Sequence, residues 1–267
     1  IIITCIASVL LACSLSGPSR ADEPITIGAV YGGLVVQLGA AETSVALALG
    51  RTGRYVVHLL DSDSGAVTKA RAALKAAGIY GLVSAETLAE PARLPYSENV
   101  VNAIRIHSPG KISLAEFFRV LTPRAVLVAS AESGLDAAGL KKAGFEAIEK
   151  KEGGALAARK PWPKNMDTWS HPRHAADGNA VSLDTAVGPP ERVRWVAAAM
   201  TEVEGLITEG GRNFYGGVLA RDSFNGLRLW HRDLLKGELN DPAFNLPRLS
   251  YNRARPVASG KYLFAFV

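Results

Sequence analysis

The sequence has few cysteines, few long apolar runs and little excess of charge. Its two cysteines, Cys5 and Cys13, lie close to the N-terminus, so the rest of the chain has no thiol for a disulfide or a metal site. A protein built entirely from membrane-spanning helices is excluded, because only residues 1–15 form a strongly apolar run. The net charge of +5 is not concentrated in a basic run, and nucleic acid is therefore not an expected partner.

The remaining composition is typical of a folded globular protein. Of the 267 residues, 48% are apolar and 21% are charged, and this length predicts one or two domains. The chain starts with three isoleucines and not with methionine. We therefore expect it to be a fragment of a longer protein.

Residues 1–24 are predicted to be an export signal. The apolar run 1–15 rises only about 22 Å as a helix, which is short of the roughly 30 Å hydrocarbon core of a membrane. A polar stretch follows, with the small residues Ser19 and Ala21 placed as for signal cleavage. Alternatively, the segment LLAC that ends at Cys13 resembles a bacterial lipobox with a lipid on this cysteine, or the run remains as an uncleaved anchor or a buried strand. Export to the periplasm or cell envelope is expected, and any membrane contact would be made through the signal or the lipid.

Residues 25–160 alternate between short apolar runs and helical stretches. Strands are predicted at 34–38, 55–60, 82–85, 100–106 and 125–129. Helices are predicted at 44–49, at 66–77 before Gly78, and at 114–121 before Pro123. This alternation predicts an α/β fold with a Rossmann-like, doubly wound, mostly parallel sheet. Ligands of such sheets bind beyond the carboxyl ends of the strands, here at the turn after the first strand.

The turn after the first predicted strand carries the most specific pattern. Residues 35–43 read VVQLGAAET, and Asp61 ends the second strand. The turn resembles the first motif of the class I S-adenosylmethionine-dependent methyltransferases, V-L-D-L-G-C-G-T-G, with Gly39 at its first glycine. Further similarities to this family are LPYSEN at 94–99, FRVLTPRA at 118–125, AGF at 143–145 and ARKP at 158–161. The resemblance implies a methyltransferase fold over residues 25–160, with Gly39 and Asp61 binding the cofactor S-adenosylmethionine.

The turn departs from the family pattern at positions that would approach the cofactor. Gln37 replaces the acid, and Ala41 and Thr43 replace the second and third glycines. Each added Cβ narrows the approach of a ligand to the backbone. Glu42 also places a negative charge near the cofactor's carboxylate, and such repulsion amounts to roughly 1–4 kcal/mol at about 4 Å. Together with export from the cytosol, where the cofactor is made, these departures predict a methyltransferase-like fold without catalysis. In that case Asp61 is an N-cap of the next helix.

Residues 161–267 are rich in Pro, Gly, Trp and Arg and show no helical periodicity. His171, His174 and Asp177 are candidate metal ligands by type. No helical frame holds the two histidines on one face, and Pro172 lies between them, so histidines of a turn or rim are favoured and no metal site is predicted. The segment Asp177-Gly178-Asn179 is a turn signal.

A repeat-like string, ARDSFNGLRLW, occupies residues 220–230. It resembles the repeat of pyrroloquinoline-quinone-binding-like β-propellers, in which an Asp and a Gly, here Asp222 and Gly226, build a turn and a Trp packs between blades. Trp195 and Trp230 are 35 residues apart, which is near one blade period. The resemblance implies that residues 161–267 begin a propeller, with pyrroloquinoline quinone as a possible cofactor of the longer protein. Since a closed ring needs at least four blades, an incomplete propeller with open sheet edges is expected.

Three classes of function follow from this organisation. The first is an exported binding or scaffold protein, whose partner is a small molecule or a cell-envelope protein. The second is an active S-adenosylmethionine-dependent methyltransferase, in which Gly39 and Asp61 hold the cofactor. His58 and His107 are candidate bases by type only, and structural histidines are the favoured interpretation. The third is a quinoprotein-type oxidoreductase, whose chemistry would belong to the quinone in the propeller.

Overall fold

The structure is a computed structural model, and it describes residues 27–28, 30–189, 193–197, 206–215, 219–231, 256–260 and 262–264. The predicted export segment, 1–24, lies outside the described residues. Within the described ranges, no helix has the length and apolar character needed to cross a membrane.

A seven-stranded sheet forms the first part of the chain. Its strands are β1 (Gly33–Leu38), β2 (Tyr55–Asp61), β3 (Val83–Thr87), β4 (Val101–Ile106), β5 (Leu121–Ala129), β6 (Glu146–Lys150) and β7 (Leu156–Arg159). The strand order is β3-β2-β1-β4-β5-β7-β6. Strands β1 to β5 are parallel, while β7 is antiparallel to both of its neighbours. The predicted Rossmann-like, mostly parallel sheet is therefore confirmed, and β6 and β7 were not predicted. We refer to its two ends as the carboxyl edge and the amino edge, after the ends of β1 to β5.

Four helices cover the two faces of this sheet. They are α1 (Ser44–Arg51), α2 (Ser64–Ala76), α3 (Leu114–Val120) and α4 (Ala137–Lys142). On one face, buried residues of α1 and α2, such as Leu49 and Leu74, pack against β1 to β3. On the other face, Phe117 of α3 and Leu140 of α4 pack against β4 and β5. Residues 88–100, all of them described, connect β3 to β4 without a helix, so this part of the second face is covered by a loop.

The passage from α3 to β5 differs from the prediction. Helix α3 ends at Val120 and β5 begins at the next residue, so Pro123 lies inside the strand instead of ending the helix. The buried Lys160 stabilises this direct connection between helix and strand. Its Nζ donates to the carbonyl oxygens of Phe118 and Leu121 and to Asn99 Oδ1, each at 2.7 Å. Carbonyls at a helix C-terminus otherwise lack donors, and the Lys160 amine supplies them here.

The second part of the chain forms antiparallel sheets. A four-stranded sheet has the order β11-β10-β9-β8, and a hairpin of β12 and β13 follows. Their bounds are β8 (Leu206–Glu209), β9 (Arg212–Tyr215), β10 (Leu219–Asp222), β11 (Arg228–His231), β12 (Val257–Ser259) and β13 (Tyr262–Phe264). A small core joins Ile207, Phe214 and Ala220 of the sheet to Ala258 of the hairpin. The described residues show antiparallel sheets but not a propeller.

Candidate functional site

The turn after β1 lies at the carboxyl edge, where the sequence placed the candidate site. Gly39 has φ = +105°, a conformation that favours glycine. Its N–H donates to the Leu60 carbonyl at 2.9 Å, which fixes the turn beside the end of β2. A Cβ at Gly39 would meet His107 Cβ at 3.4 Å, an ordinary contact, so the backbone conformation and not crowding explains this glycine.

Asp61 and Gly39 are brought together, but both oxygens of Asp61 already have backbone partners. Asp61 Oδ2 accepts the N–H of Ala40 at 2.8 Å, and Oδ1 accepts the N–H of Asp63 at 2.9 Å. The N-cap of α2 is Asp63, whose carboxylate accepts the Gly65 N–H at 2.7 Å. The alternative prediction of Asp61 as this N-cap is therefore wrong. Asp61 instead ties the turn after β1 to the end of β2.

Gln37 stabilises the turn from within. Its side chain is 1% exposed, and Nε2 donates to the carbonyl oxygens of Gly39 at 2.9 Å and Glu42 at 2.6 Å. Its Oε1 accepts from Arg105 Nη1 at 3.3 Å. A carboxylate at position 37 would lack the N–H groups that hold these two carbonyls. The residue that replaces the family's acid is thus part of the closure of the turn.

Glu42 occupies the N-terminus of α1 with its own carboxylate. Oε1 accepts the Ser44 N–H at 2.6 Å, and Oε2 accepts from Arg105 Nη1 at 2.9 Å. Burial tends to raise the pKa of Glu42, but the hydrogen bonds from Ser44 and the Arg105 guanidinium outweigh it and lower the pKa. The N-cap residue, Thr43, makes no side-chain capping bond. Helix N-termini bind anions, and here a carboxylate of the chain itself takes that place.

Arg105 is the residue of this site that sequence reasoning missed. It lies in β4, and its guanidinium contacts both Gln37 and Glu42. The signal was a charged residue within the otherwise apolar run 100–106. Its presence also corrects the repulsion argument. Because Glu42 is paired with Arg105, its negative charge is largely compensated.

The two candidate bases lie in different places. His107 follows β4 beside the turn, with Nε2 4.0 Å from Glu42 Oε2. Burial and the nearby Arg105 lower its pKa, against the opposing effect of Glu42 and Glu132. His107 is therefore neutral near pH 7 and lies within the candidate site.

His58 lies inside β2, away from the turn. Its Nδ1 is 2.6 Å from the Tyr96 hydroxyl, and its Nε2 is 3.6 Å from Glu86 Oε2. Burial lowers the pKa of His58, while the Glu86 carboxylate acts in the opposite direction. Since Tyr96 belongs to the loop between β3 and β4, His58 anchors this loop on the sheet.

The histidines of the second region do not converge. His174 is 7% exposed, and its Nε2 lies 2.7 Å from Asp167 Oδ2, so it is buried and not at a rim. It does lie in a tight turn, the other expected place, because its carbonyl accepts the His171 N–H at 3.2 Å. Hydrogen bonds from the Leu183 and Thr168 N–H groups and from His174 lower the pKa of Asp167 to about 2.

His171 has a different partner from His174, since its Nδ1 lies 2.9 Å from Ser170 Oγ. Asp177 accepts the Asn179 N–H at 3.0 Å in the predicted turn. Among the residues that the structure describes, no group of three or more His, Cys, Asp or Glu side chains is arranged to hold a metal ion.

Comparison with known proteins yields similarity at the level of structure. No family model and no curated protein matches the chain. A methyltransferase from Aquifex aeolicus described as S-adenosylmethionine-dependent is 18% identical, with a TM-score of 0.39 over 48% of this chain and 81% of that one. A protein from Methanococcus maripaludis described as a putative methyltransferase of the same kind is 12% identical, with a TM-score of 0.43 over 51% and 81%.

A further similar structure is a putative methyltransferase from Bacillus halodurans C-125. It is 14% identical, with a TM-score of 0.39 over 50% of this chain and 94% of that one. These similarities cover about half of the chain. In this chain, the seven strands form a Rossmann-like, mostly parallel sheet.

Proposed function

We propose that the seven-stranded sheet region does not catalyse methyl transfer and that this chain belongs to an exported binding or scaffold protein. In this proposal, the antiparallel region is the start of a pyrroloquinoline-quinone-binding-like propeller used for recognition. The observation that carries the proposal is the Glu42 carboxylate, which holds both the Ser44 N–H and the Arg105 guanidinium.

The residues of the turn do not fit S-adenosylmethionine. A bound cofactor would need free donors and free space at the N-terminus of α1, and Glu42 uses the Ser44 donor. The acid at the end of β2, Asp61, has both oxygens engaged by backbone N–H groups. Opening the turn would therefore break several hydrogen bonds before a ligand gained any, at a net cost of about 0.5–1.5 kcal/mol for each bond.

Local features support the proposed repeat in the antiparallel region. Asp222 Oδ1 accepts the N–H groups of Phe224 at 2.8 Å and Asn225 at 3.0 Å, and Gly226 has φ = +73°. The Trp195 indole lies against Gly226, where a Cβ would overlap the ring, and its Nε1 donates to the Ser223 carbonyl at 3.1 Å. The contacts of Asp222 and Gly226 support the turn role that the repeat resemblance implies.

A second candidate function is S-adenosylmethionine binding with catalysis, and one observation favours it. The structure places Asp61 Oδ2 within 2.8 Å of the Ala40 N–H, so an acid and the turn after β1 lie side by side as in the methyltransferase resemblance. In this alternative, His107 is the candidate base because it borders the same turn. A quinoprotein-type oxidoreductase has no such support among the described residues.

Calorimetric titration of the full chain with S-adenosylmethionine separates the two candidates. We expect no binding heat from the native chain at about 1 mM ligand, which excludes affinities better than that value. The matched variant is Gln37→Asp/Ala41→Gly/Glu42→Thr/Thr43→Gly, which restores the family pattern in the turn and should bind. The variant Glu42→Gln keeps an acceptor for Ser44 and should remain silent. Saturable heat from the native chain would refute the proposal.

A further inference from the structure

A buried polar cluster joins the two regions of the chain at the amino edge of the parallel sheet. Asn102, the second residue of β4, is 7% exposed. Its Nδ2 donates to Asp222 Oδ2 at 2.7 Å. Its Oδ1 accepts from Asn225 Nδ2 and from the Leu34 N–H, each at 2.8 Å. Asn102 therefore connects β1, β4 and the turn between β10 and β11, and we call Asn102, Asp222 and Asn225 the Asn102 cluster.

The first strand is shaped to admit the Asn102 side chain. Gly33 opens β1 with φ = +107°, and a Cβ there would overlap Asn102 Oδ1. The glycine therefore lets the amide lie against the backbone and accept the N–H of Leu34. Because buried polar groups need hydrogen-bond partners, the NH₂ group of the Asn102 amide also needs an acceptor.

The turn presents a complementary set of groups. Asp222, 5% exposed, uses Oδ1 for the backbone of its own turn and leaves Oδ2 for Asn102. Asn225 Nδ2 donates to Asn102 Oδ1 and to the Val100 carbonyl, both at 2.8 Å. Its own Oδ1 accepts the Leu227 N–H at 3.0 Å. Every polar atom of these two side chains is thus assigned as donor or acceptor.

The orientation of the Asn102 amide cannot be reversed. A flipped amide would place its NH₂ group against two donors, the Leu34 N–H and Asn225 Nδ2. The amide therefore presents an NH₂ group to residue 222, and an acceptor must stand there. An asparagine at position 222 has one NH₂ group, which would face either the Asn102 NH₂ group or the backbone N–H groups of the turn. In both cases two donors would face each other. The cluster consequently discriminates between Asp and Asn, which have nearly the same size.

We propose that the amino edge of the parallel sheet is a recognition surface for an Asp-x-x-Asn-Gly turn, here Asp222 to Gly226, and that Asn102 selects this turn. The surface makes the two regions of the chain unfold as one unit. It lies at the opposite edge from the turn that contains Gly39. Its test is therefore independent of whether that turn binds a cofactor.

Contacts around the cluster are more exposed and less selective. Arg194 donates to the Glu98 carbonyl at 2.7 Å and to Glu98 Oε1 at 3.2 Å, and both side chains are exposed. The Arg124 guanidinium lies 5.1 Å from the Trp162 ring, which meets Phe224 edge to face at 6.3 Å. These contacts add area to the surface, whereas the Asn102 cluster determines which turn fits.

The chain provides separate optical probes for its two regions. All four tryptophans are in the second region, at 162, 169, 195 and 230. All four described α-helices lie within residues 44–142, in the first region. Tryptophan fluorescence and far-ultraviolet circular dichroism therefore follow different regions during thermal unfolding. Coincident transitions are the sign of one cooperative unit.

The experiment compares the full native chain with Asn102→Asp, Asp222→Asn and the double exchange at neutral pH. Asn102→Asp places two carboxylates together, and Asp222→Asn places two donors together. The double exchange restores one acceptor and one donor at the shared contact. We expect coincident transitions for the native chain, a fluorescence transition lowered by roughly 5 °C or more in each single variant, and recovery in the double variant. Arg194→Ala, at the exposed periphery, should leave the transitions coincident.

The proposal is overturned if both single variants keep the native transition temperatures. It is equally overturned if the transition temperature of the double variant falls by the sum of the decreases in the two single variants. It is also overturned if the native chain shows two separate transitions. If a single variant fails to fold, the double variant decides the test. A folded double variant supports the proposal, and a double variant that also fails to fold contradicts the proposal.

Discussion

The two edges of the parallel sheet differ in how their polar groups are used. At the carboxyl edge, Gln37, Glu42 and Arg105 bond to one another and to the turn, and Glu42 accepts the Ser44 N–H at the N-terminus of α1. At the amino edge, the Asn102 Nδ2 group donates to Asp222, in a turn more than 100 residues further along the chain, and Oδ1 accepts from Asn225 of the same turn as well as from Leu34. The polar groups of the carboxyl edge thus bond within the sheet region, while those of the amino edge bond to the antiparallel region.

The largest effect is expected from Lys160, which supports the amino edge. Lys160→Met would leave the Phe118 and Leu121 carbonyls and Asn99 without their donor. We expect a loss of about 2–4 kcal/mol in the free energy of unfolding, measured by urea denaturation. The control is Lys164→Met at an exposed position, which should change little. An equal effect of both substitutions would contradict this role.

The same lysine has a predictable dependence on pH. Burial lowers the pKa of Lys160 from 10.5 to about 8, so the unfolded chain binds more protons than the folded chain between these values. The buried charge of Lys160 therefore lowers stability most below about pH 8, and this cost is removed as pH rises from about 8 to 10.5. The difference in unfolding free energy between the native chain and Lys160→Met should grow from pH 8 to pH 10. A constant difference would show that this pKa is not lowered.

Gly33→Ala is expected to disturb the amino edge without touching the carboxyl edge. The added Cβ would overlap Asn102 Oδ1 and also meet an unfavourable φ, for a loss of about 1–3 kcal/mol. Gly53→Ala is the matched control, because Gly53 has φ = +68° but no atom within 4 Å of the added Cβ. A larger loss in stability at Gly33 than at Gly53, in chemical denaturation, is expected from the contact with Asn102 together with the less favourable φ of Gly33. Equal losses in stability at Gly33 and Gly53 would show that the close contact between β1 and the Asn102 amide does not contribute to stability.

A smaller effect is expected at the carboxyl edge from Glu42→Ala. It removes the acceptor of the Ser44 N–H and the partner of Arg105, at a cost of about 1 kcal/mol. Because the folded pKa of Glu42 is below its usual 4.5, its contribution is present above pH 4.5 and is lost as pH falls through the lower folded value. The difference between native and variant stability should therefore shrink in acid. An unchanged difference at about pH 3 would contradict the pairing.

The smallest effect is expected from Arg194→Ala. The Arg194 and Glu98 side chains are both exposed, and surface ion pairs contribute roughly 0–1 kcal/mol. Stability should fall by no more than about 0.5 kcal/mol, and less in high salt. A loss as large as that of Gly33→Ala would show that the periphery, and not the Asn102 cluster, holds the two regions together.

The sequence was most informative where local patterns determine structure. The apolar runs at 34–38 and 55–60 became β1 and β2 with one further residue each, because buried parallel strands need continuous apolar segments. The exposed strand β6, with the sequence EAIEK, has no such signal and was missed. Gly39 and Asp61, predicted to bind a cofactor, lie close together because both follow or end adjacent parallel strands, and their binding of a cofactor stays a prediction.

Contacts between distant residues were beyond sequence reasoning. Glu42 was identified as an obstacle to the cofactor, but its partner Arg105 is 63 residues away and no local pattern joins them. Asn102 stood unnoticed inside a predicted strand, and its partner Asp222 is 120 residues away. Both pairs depend on tertiary arrangement, and a polar residue inside an apolar run was the available hint in each case.

Amide hydrogen exchange measured by NMR, with and without S-adenosylmethionine, tests the comparison of the two edges most directly. We expect slow exchange for the N–H groups of Ala40 and Ser44, which donate to Asp61 and Glu42, and for the Leu34 N–H, which donates to Asn102. We also expect that about 1 mM cofactor changes none of these rates. Rapid exchange at Ala40 and Ser44, or slowing of their exchange by the cofactor, would show instead that the turn after β1 is open to a ligand.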